Sequence, residues 1–212
     1  VIAWNNRLTL RIVVYILIIG ILVVTLFPVA WMLSTSLKTL GEVTGKTPRW
    51  IPSTISLEAY KTVLTDPAIL TFFKNTLIVC SAVALINIFL ASLAGYAFSR
   101  FDFKGRMSLM MAILATQMFP LVLLLIALYY LFFRLRLLDT YIALILSYLS
   151  FSLPFSIWMM KNFFDSIPKA LEDAAMVDGC NRIKVLFRVT FPLAVPGALV
   201  AGLFSFLNGW NN

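Results

Sequence analysis

Five long stretches of the chain contain no charged residue, and each of them is mostly apolar. They cover residues 12–37, 75–99, 107–133, 140–160 and 189–212. Each stretch is longer than the roughly 20 residues that a helix needs to cross a hydrocarbon core of about 30 Å. A backbone in lipid must form its hydrogen bonds within its own segment, and the alternating pattern of a membrane barrel is not seen in the sequence. The pattern therefore predicts an all-α membrane protein, a multi-pass bundle of five spans in one transmembrane domain over residues 1–212.

The composition excludes an ordinary soluble domain. Of the 212 residues, 61% are hydrophobic and 12% are charged, whereas soluble domains average about 45–50% and 25%. The net charge of +8 could suggest nucleic acid, but nucleic-acid binders carry their basic face on a water-soluble fold. We therefore expect anionic membrane lipid as the counterpart of this charge, and no nucleic-acid partner.

The residue types that most often carry chemistry are scarce. The chain has no histidine and only two cysteines, Cys80 and Cys180, which stand far apart in different kinds of segment. This pattern supports neither a disulfide framework nor a His/Cys metal site nor histidine-based catalysis. We expect no catalytic residue and no metal ligand in this chain.

The connections between the runs predict the orientation of the chain. With the N-terminus in the cytoplasm, the inner connections carry ten basic residues and the outer ones seven, of which five lie in the long loop 38–74. Cytoplasmic loops are enriched in Lys and Arg, so this excess favours a cytoplasmic N-terminus. A signal peptide is the alternative for the first run, but the run is too long for one and no small-residue cleavage site precedes Lys38.

The outer loop 38–74 carries signs of local order. Pro48 and Pro52 predict an extended entry, and Ser56 is a suitable N-cap for a short helix that begins at the following Leu-Glu-Ala-Tyr. Trp50 and Tyr60 are either anchors at the membrane interface or contacts for an external partner.

The polar side chains inside the spans are all uncharged. An ion-coupled carrier keeps ionisable residues in its spans, and the five runs contain none. Two readings remain for the polar residues: a pathway for a neutral polar solute, or hydrogen bonds that pack the helices together. The pathway candidates are Asn87, Gln117, Tyr148 and Asn208. Gln117 precedes Pro120, and a mid-span proline frees a backbone carbonyl and often lies beside a cavity; Pro154 is a second proline of this kind.

The inner loop 161–188 predicts two short helices. Ser166 is a suitable N-cap, Pro168 fits the first helical turn, and Gly179 suits the left-handed position after a helix of about three turns. Asn181 would cap a second helix that continues into the last span. A slim, alanine-containing helix of this kind fits a groove on another protein; the alternative is a solvated linker whose charges only enforce topology.

The same loop carries a family resemblance. Asp173-Ala174-Ala175, then Gly179, then Val189-Thr190-Phe191-Pro192 resemble the Glu-Ala-Ala…Gly…Ile-x-Leu-Pro signature of the permease subunits of ABC importers. The segments 117–120, 153–158, 163–168 and 210–211 resemble the carbohydrate branch, close to the second, smaller permease of maltose-type importers. Two positions depart from the family. Asp173 replaces a Glu, which keeps the charge but shortens its reach, and Ala59 replaces an Asn that is common before the loop tyrosine.

The resemblance implies a fold, a function and a set of partners. The fold would be that of a type I ABC importer, and the chain would form half of a sugar pathway in a bacterial or archaeal plasma membrane. The expected partners are a second permease subunit, an ATP-binding cassette ATPase dimer, an extracytoplasmic solute-binding protein and the sugar. This chain would be non-catalytic and would hold no cofactor. ATP and Mg would be bound by the ATPase, because the chain has no Gly-rich phosphate loop.

The resemblance also implies which residues couple the chain to the ATPase. They are Leu171, Glu172, Asp173, Ala174, Ala175, Met176, Asp178, Gly179 and Pro192. The family has six spans, whereas this chain stops after Trp210-Asn211-Asn212, so we expect the sixth span to be absent from it. The alternatives are a permease for another binding-protein-dependent small polar solute, and an ATP-independent carrier or membrane scaffold.

Overall fold

The computed structural model describes residues 3–45, 47 and 49–211, with side chains from Thr9 onward in these ranges. Pro48, the first of the two loop prolines, and Asn212, the last residue of the fifth run, lie outside the described residues. The chain divides into two compact units, Val1–Phe72 and Phe73–Asn212.

The first unit contains one long helix and two short ones. They are α1 (Ala3–Ser36), α2 (Leu40–Val43) and α3 (Glu58–Thr65). Helix α1 is apolar on all sides, and its apolar side chains from Leu10 to Leu33 are mostly exposed. A helix that is apolar all round is stable only where its whole surface avoids water, as in a membrane span.

The loop after α1 is ordered by aromatic and polar contacts within this unit. The Trp50 ring lies edge-on to Trp31, with 4.8 Å between the ring centroids, and the Ser34 hydroxyl donates to the Trp50 carbonyl. The Ser53 backbone N–H donates to Glu42 at 2.9 Å. Hydrogen bonding from the Ser53 side chain and backbone holds the pKa of the Glu42 carboxyl below its usual value.

The N-cap predicted at Ser56 lies one residue later, at Leu57. Leu57 is the N-cap of α3 and makes no side-chain cap, and the Ser56 hydroxyl instead accepts a hydrogen bond from the Glu58 N–H at 3.3 Å. A serine can satisfy the N–H two residues later in a local turn as well as at a helix cap, so its presence does not fix the first helical residue. Tyr60 shares a hydrogen bond of 2.7 Å with Ser36.

The second unit is built around three long helices and the shorter ones between them. The helices are α4 (Pro67–Arg100, which begins in the first unit), α5 (Arg106–Ala115), α6 (Leu121–Arg134), α7 (Tyr141–Ser166), α8 (Lys169–Val177), α9 (Arg182–Val185) and α10 (Phe191–Trp210). A 3₁₀ turn (Thr116–Met118) follows α5, and a π-helical segment (Leu186–Thr190) joins α9 to α10.

Small residues allow α4, α7 and α10 to pack closely. Their shared core includes Ala91, Met160, Phe164, Ala198 and Ala201, all buried. A Cβ atom built on Gly95 of α4 would lie 2.7 Å from the Met160 Cβ of α7. Since lipid gives helices no hydrophobic reason to associate, close packing of small residues supplies much of the attraction between them.

Among the described residues, four helices are long and apolar enough to cross a membrane. They are Thr9–Ser36, Pro67–Arg100, Tyr141–Ser166 and Arg182–Trp210. The run 107–133, which the sequence predicted as one span, consists of two helical segments bent by 96°. The span count is five only if this bent pair crosses the membrane as one unit.

The bend has a local cause at Pro120. Phe119, the residue before this proline, is extended (φ −70°, ψ 135°), as the clash with the proline ring requires. Pro120 also lacks the N–H that would continue the helix, so α5 ends in a tightened 3₁₀ turn and α6 begins at Leu121. The run 107–133 is therefore helical on both sides of a break at Pro120, and its crossing as one span stays a prediction.

Candidate functional site

Helix α8 carries the signature segment of the inner loop. It does not begin as the sequence predicted, because α7 runs through Ser166, whose hydroxyl donates to the Phe163 carbonyl at 2.7 Å. Pro168 occupies the N-cap position. Because Ser166 belongs to the end of the preceding helix, it cannot also cap α8, and the prediction of a Ser166 cap was wrong.

The end of α8 agrees with the sequence prediction. Gly179 adopts the left-handed conformation, with φ +85°. Its N–H donates to the Met176 carbonyl at 3.1 Å, and the Cys180 N–H donates to the Ala175 carbonyl at 3.0 Å. These two bonds form a Schellman motif, which satisfies carbonyls that the helix end would leave free.

The predicted second helix also begins as expected. The Asn181 side chain accepts a hydrogen bond from the Lys184 N–H at 2.9 Å, and α9 follows. The chain then passes through the π-helical segment into α10, where Pro192 lies in the first turn. Pro192 has no N–H for the carbonyl of Arg188, four residues earlier. Just before it, the Phe191 N–H donates to the Leu186 carbonyl, five residues earlier, as in a π-helical turn.

Most of the predicted coupling residues are accessible on α8, on the turn after it or at the start of α10. Leu171, Asp173 and Ala174 are exposed, Ala175 and Met176 are half-buried, and Asp178, Gly179 and Pro192 are exposed. The side of α8 around Asp173 therefore offers one acid and small apolar groups to a partner. This is the composition that an α-helix needs to lie in a groove.

Glu172 is the exception, because its side chain points into its own chain. It is 5% exposed, and its Oε1 accepts from the Arg100 Nε at 2.6 Å. The Tyr96 hydroxyl donates to its Oε2 at 3.0 Å. Both partners belong to α4, so the Glu172 carboxylate is engaged in an internal ion pair, and its contact with an ATPase stays a prediction.

The sequence pattern does not single out Arg100 or Tyr96. Arg100 was counted only as a basic residue of a cytoplasmic turn, and Tyr96 only as a polar residue of a span. Arg100 also donates through Nη2 to the Ile167 carbonyl at 2.9 Å and through Nη1 to the Ser99 hydroxyl at 2.9 Å. Glu172 is buried in a helix whose other residues are exposed or half-buried. The local sequence pattern does not mark it as buried, so no sequence signal identified its pair with Arg100.

A second group of polar residues lies beside this pair. The Ser99 hydroxyl donates to Asp165 at 2.6 Å, and Lys161 donates to the same carboxylate at 2.5 Å. The C-terminal ends of α4 and α7 are thus joined by a chain of hydrogen bonds that begins at Glu172 on α8.

Asn87 is fully enclosed between three helices. Its amide nitrogen donates to Ser156 of α7 at 2.7 Å and to Ser205 of α10, and the residue has no exposed surface. This geometry is that of an interhelical hydrogen-bond centre, the alternative that the sequence left open for Asn87.

The other pathway candidates lie at or near the surface of this unit. The Gln117 amide donates to the Phe151 carbonyl at 2.7 Å and borders a cavity of about 330 Å³. Tyr148 lines a separate cavity of about 360 Å³, together with Asn75, Thr76 and Trp210. Asn208 is half-buried and donates to the Phe204 carbonyl of its own helix at 3.1 Å.

Acidic and sulfur side chains do not converge in the described part of the chain. No group of three or more His, Cys, Asp or Glu side chains there could hold a metal ion. Cys80 is buried and Cys180 is half-buried, and neither forms a disulfide.

Comparisons with known proteins agree on one family. Residues 87–212 match the model of the family described as "Binding-protein-dependent transport system inner membrane component". The sulfoquinovosyl glycerol transport system permease protein SmoH of Agrobacterium fabrum is 41% identical, over 90% of this chain and 67% of the relative. The trehalose/maltose transport system permease protein MalG of Thermococcus litoralis is 36% identical, over 92% of this chain and 72% of the relative.

A solved structure shows the same fold. A bacterial ABC transporter involved in the import of the acidic polysaccharide alginate contains a chain with a TM-score of 0.78 and 27% sequence identity to this one. The match covers 100% of this chain and 74% of that chain. The helical architecture, the signature segment on α8 and these matches lead to one conclusion: the chain belongs to the family of binding-protein-dependent transport system inner membrane components, the permease subunits of ABC transporters.

Proposed function

We propose that this chain is the transmembrane subunit of an ATP-driven sugar importer, in which it forms half of the pathway and couples it to an ATPase. The relatives named above transport sulfoquinovosyl glycerol and trehalose or maltose, and the related transporter imports alginate. All of these cargoes are sugars or sugar derivatives. This supports a carbohydrate cargo over other small polar solutes.

The proposal rests mainly on the exposure of α8 and on its ordered C-terminal end. The signature segment forms a separate short helix whose Asp173 side is exposed, and a Schellman motif at Gly179 fixes its end. A partner can bind an exposed helix that lies between two long spans and can displace it. Closure of an ATPase dimer on ATP would displace α8 and so move the spans between inward-facing and outward-facing states.

The proposal assigns the chemistry to other subunits. ATP and Mg would be bound and ATP hydrolysed by the ATPase dimer, with α8 in the cytoplasm and the N-terminus on the same side. A second permease would complete the pathway, and an extracytoplasmic binding protein would deliver the sugar. Tyr148 and Gln117 are the proposed pathway residues of this chain, since both border cavities, whereas Asn87 holds the helices together.

Co-purification with the ATPase tests this assignment. We expect the chain, expressed with its second permease, to retain an ATPase subunit whose activity rises when the sugar-loaded binding protein is added. Asp173→Lys should abolish the rise, because it reverses the charge on the docking side of α8. The control is Asp102→Lys, which changes an exposed acid of another cytoplasmic turn and should preserve the rise. If the ATPase activity of the wild-type complex does not change when the sugar-loaded binding protein is added, the proposal is contradicted.

A further inference from the structure

The ion pair between Arg100 and Glu172 is sheltered from water to an unusual degree for the polar end of a helix. The side chains of the two residues are 4% and 7% exposed, and the atoms Nε and Oε1 lie 2.6 Å apart. In contrast, Arg106 and Asp102 form a pair on the surface, with side chains 29% and 90% exposed. Exposed pairs hold their partners weakly, whereas breaking a buried pair leaves an uncompensated charge.

Arg100 binds three parts of the chain at once. Its Nε binds Glu172 on α8, its Nη2 binds the carbonyl of Ile167 at the start of the turn before α8, and its Nη1 binds Ser99 on α4. The planar guanidinium can satisfy all three with one rigid group. The N-terminal half of α8 is therefore held to the end of α4 both through a side chain and through the preceding backbone.

Glu172 supplies a second point of attachment on α4. Its other carboxylate oxygen accepts from the Tyr96 hydroxyl at 3.0 Å, and Tyr96 lies four residues, or about one helical turn, before Arg100. Tyr96 is itself fixed edge-on against Phe164 of α7, with ring centroids 5.6 Å apart. Two attachment points one turn apart prevent α8 from pivoting about a single bond.

The other end of α8 leads into an open turn. Beyond the helix the chain turns at Gly179, and an added Cβ there would meet no atom within 4 Å. Past this turn, Arg182 lies over the Phe101 ring at 5.3 Å, again at the end of α4. Side chains of both α8 and the segment after its turn thus contact the end of α4, which adjoins neither α8 nor α9 in sequence.

We propose that Arg100 is a positioning residue that ties α8 to α4 through Glu172, so that the docking helix and the cytoplasmic end of α4 move as one body. This rests on the proposed importer function. Movement of α8 then reaches α4 directly, and α10 follows through the Gly179 turn and the π-helical segment. Glu172 forms the internal ion pair with Arg100, and Asp173 and its exposed neighbours contact the ATPase.

The test separates coupling from folding. In the reconstituted complex, Arg100→Met combined with Glu172→Leu replaces both charges with apolar groups of similar size, which buried pairs often tolerate. Arg100→Lys keeps the charge but cannot bind all three partners. The control, Arg106→Gln with Asp102→Asn, removes the exposed pair. For each variant we would measure the yield of assembled complex, the ATPase rate and the sugar taken up per ATP hydrolysed.

We expect assembled complexes of both Arg100 variants to hydrolyse ATP but to take up less sugar per ATP, by about fivefold or more, the low end of typical allosteric coupling. The control should keep the wild-type ratio. A wild-type ratio in assembled Arg100→Lys complex would overturn the inference, as would a loss of yield with the ratio unchanged. If the wild-type complex itself shows no binding-protein-dependent uptake, the importer proposal has failed instead.

Discussion

Gly95 allows α4 and α7 to approach within a distance that no other residue permits. An added Cβ would lie 2.7 Å from the Met160 Cβ and 2.9 Å from the Lys161 backbone nitrogen. Neither atom can be moved by rotating a side chain, since both positions are set by the backbone of α7. Gly95→Ala must therefore push the two helices apart.

The magnitude follows from two opposing effects. Overpacking costs about 1–3 kcal/mol, and we take the upper end because the opposing atoms belong to the backbone. Alanine regains about 1 kcal/mol over glycine in a helix. The free energy of unfolding should fall by about 2 kcal/mol, which for a domain of this size lowers the melting temperature by about 4–8 °C.

The assay uses the buried thiol of Cys80, which is 1% exposed. In a Cys180→Ser background, a thiol-reactive dye would report thermal unfolding of the purified chain in detergent. Two glycines serve as controls: Gly20→Ala meets no atom within 4 Å, and Gly202→Ala meets the flexible end of Ile88 at 2.5 Å. The melting temperature should fall most for Gly95, less for Gly202 and not at all for Gly20. A Gly95→Ala protein as stable as wild type would refute the reasoning.

Two further substitutions test the hydrogen-bond centre and the helix turn. Asn87→Leu removes the hydrogen bonds to Ser156 and Ser205 and should lower the free energy of unfolding by about 1 kcal/mol, measured in the same thermal assay. The sugar preference of uptake should not change. A changed preference would show that Asn87 lines the sugar pathway. Gly179→Val places a β-branched residue at φ +85°. We expect this variant to insert normally into the membrane and to hydrolyse ATP, but to lose sugar uptake. Wild-type uptake would contradict a coupling role for this turn.

The sequence predicted those features that depend on neighbouring residues. A glycine after a helix-forming segment predicts a left-handed turn, and Gly179 adopts it; an asparagine before the next helix predicts a cap, and Asn181 forms it. The long apolar runs likewise predicted helices. Ser166 was assigned to the wrong helix because a serine near a boundary can end one helix or begin the next, and only the tertiary structure decides which.

The features that the sequence did not predict depend on distant contacts. Glu172 and Arg100 are separated by 72 positions in the chain, and nothing near Glu172 distinguishes its side of α8 from the exposed side. The 96° bend was missed for a different reason: a proline within an apolar run is compatible with a kinked span, and the run alone does not set the angle.

In the proposed function, this chain converts ATP-driven movement of its partners into the passage of a sugar. The most direct measurement is uptake of radiolabelled sugar into proteoliposomes that contain the assembled complex, with ATP on the α8 side and the sugar-loaded binding protein on the other. We expect uptake that requires both ATP and the binding protein and that Asp173→Lys abolishes. Sugar entry at the same rate without ATP, or without the binding protein, would contradict it.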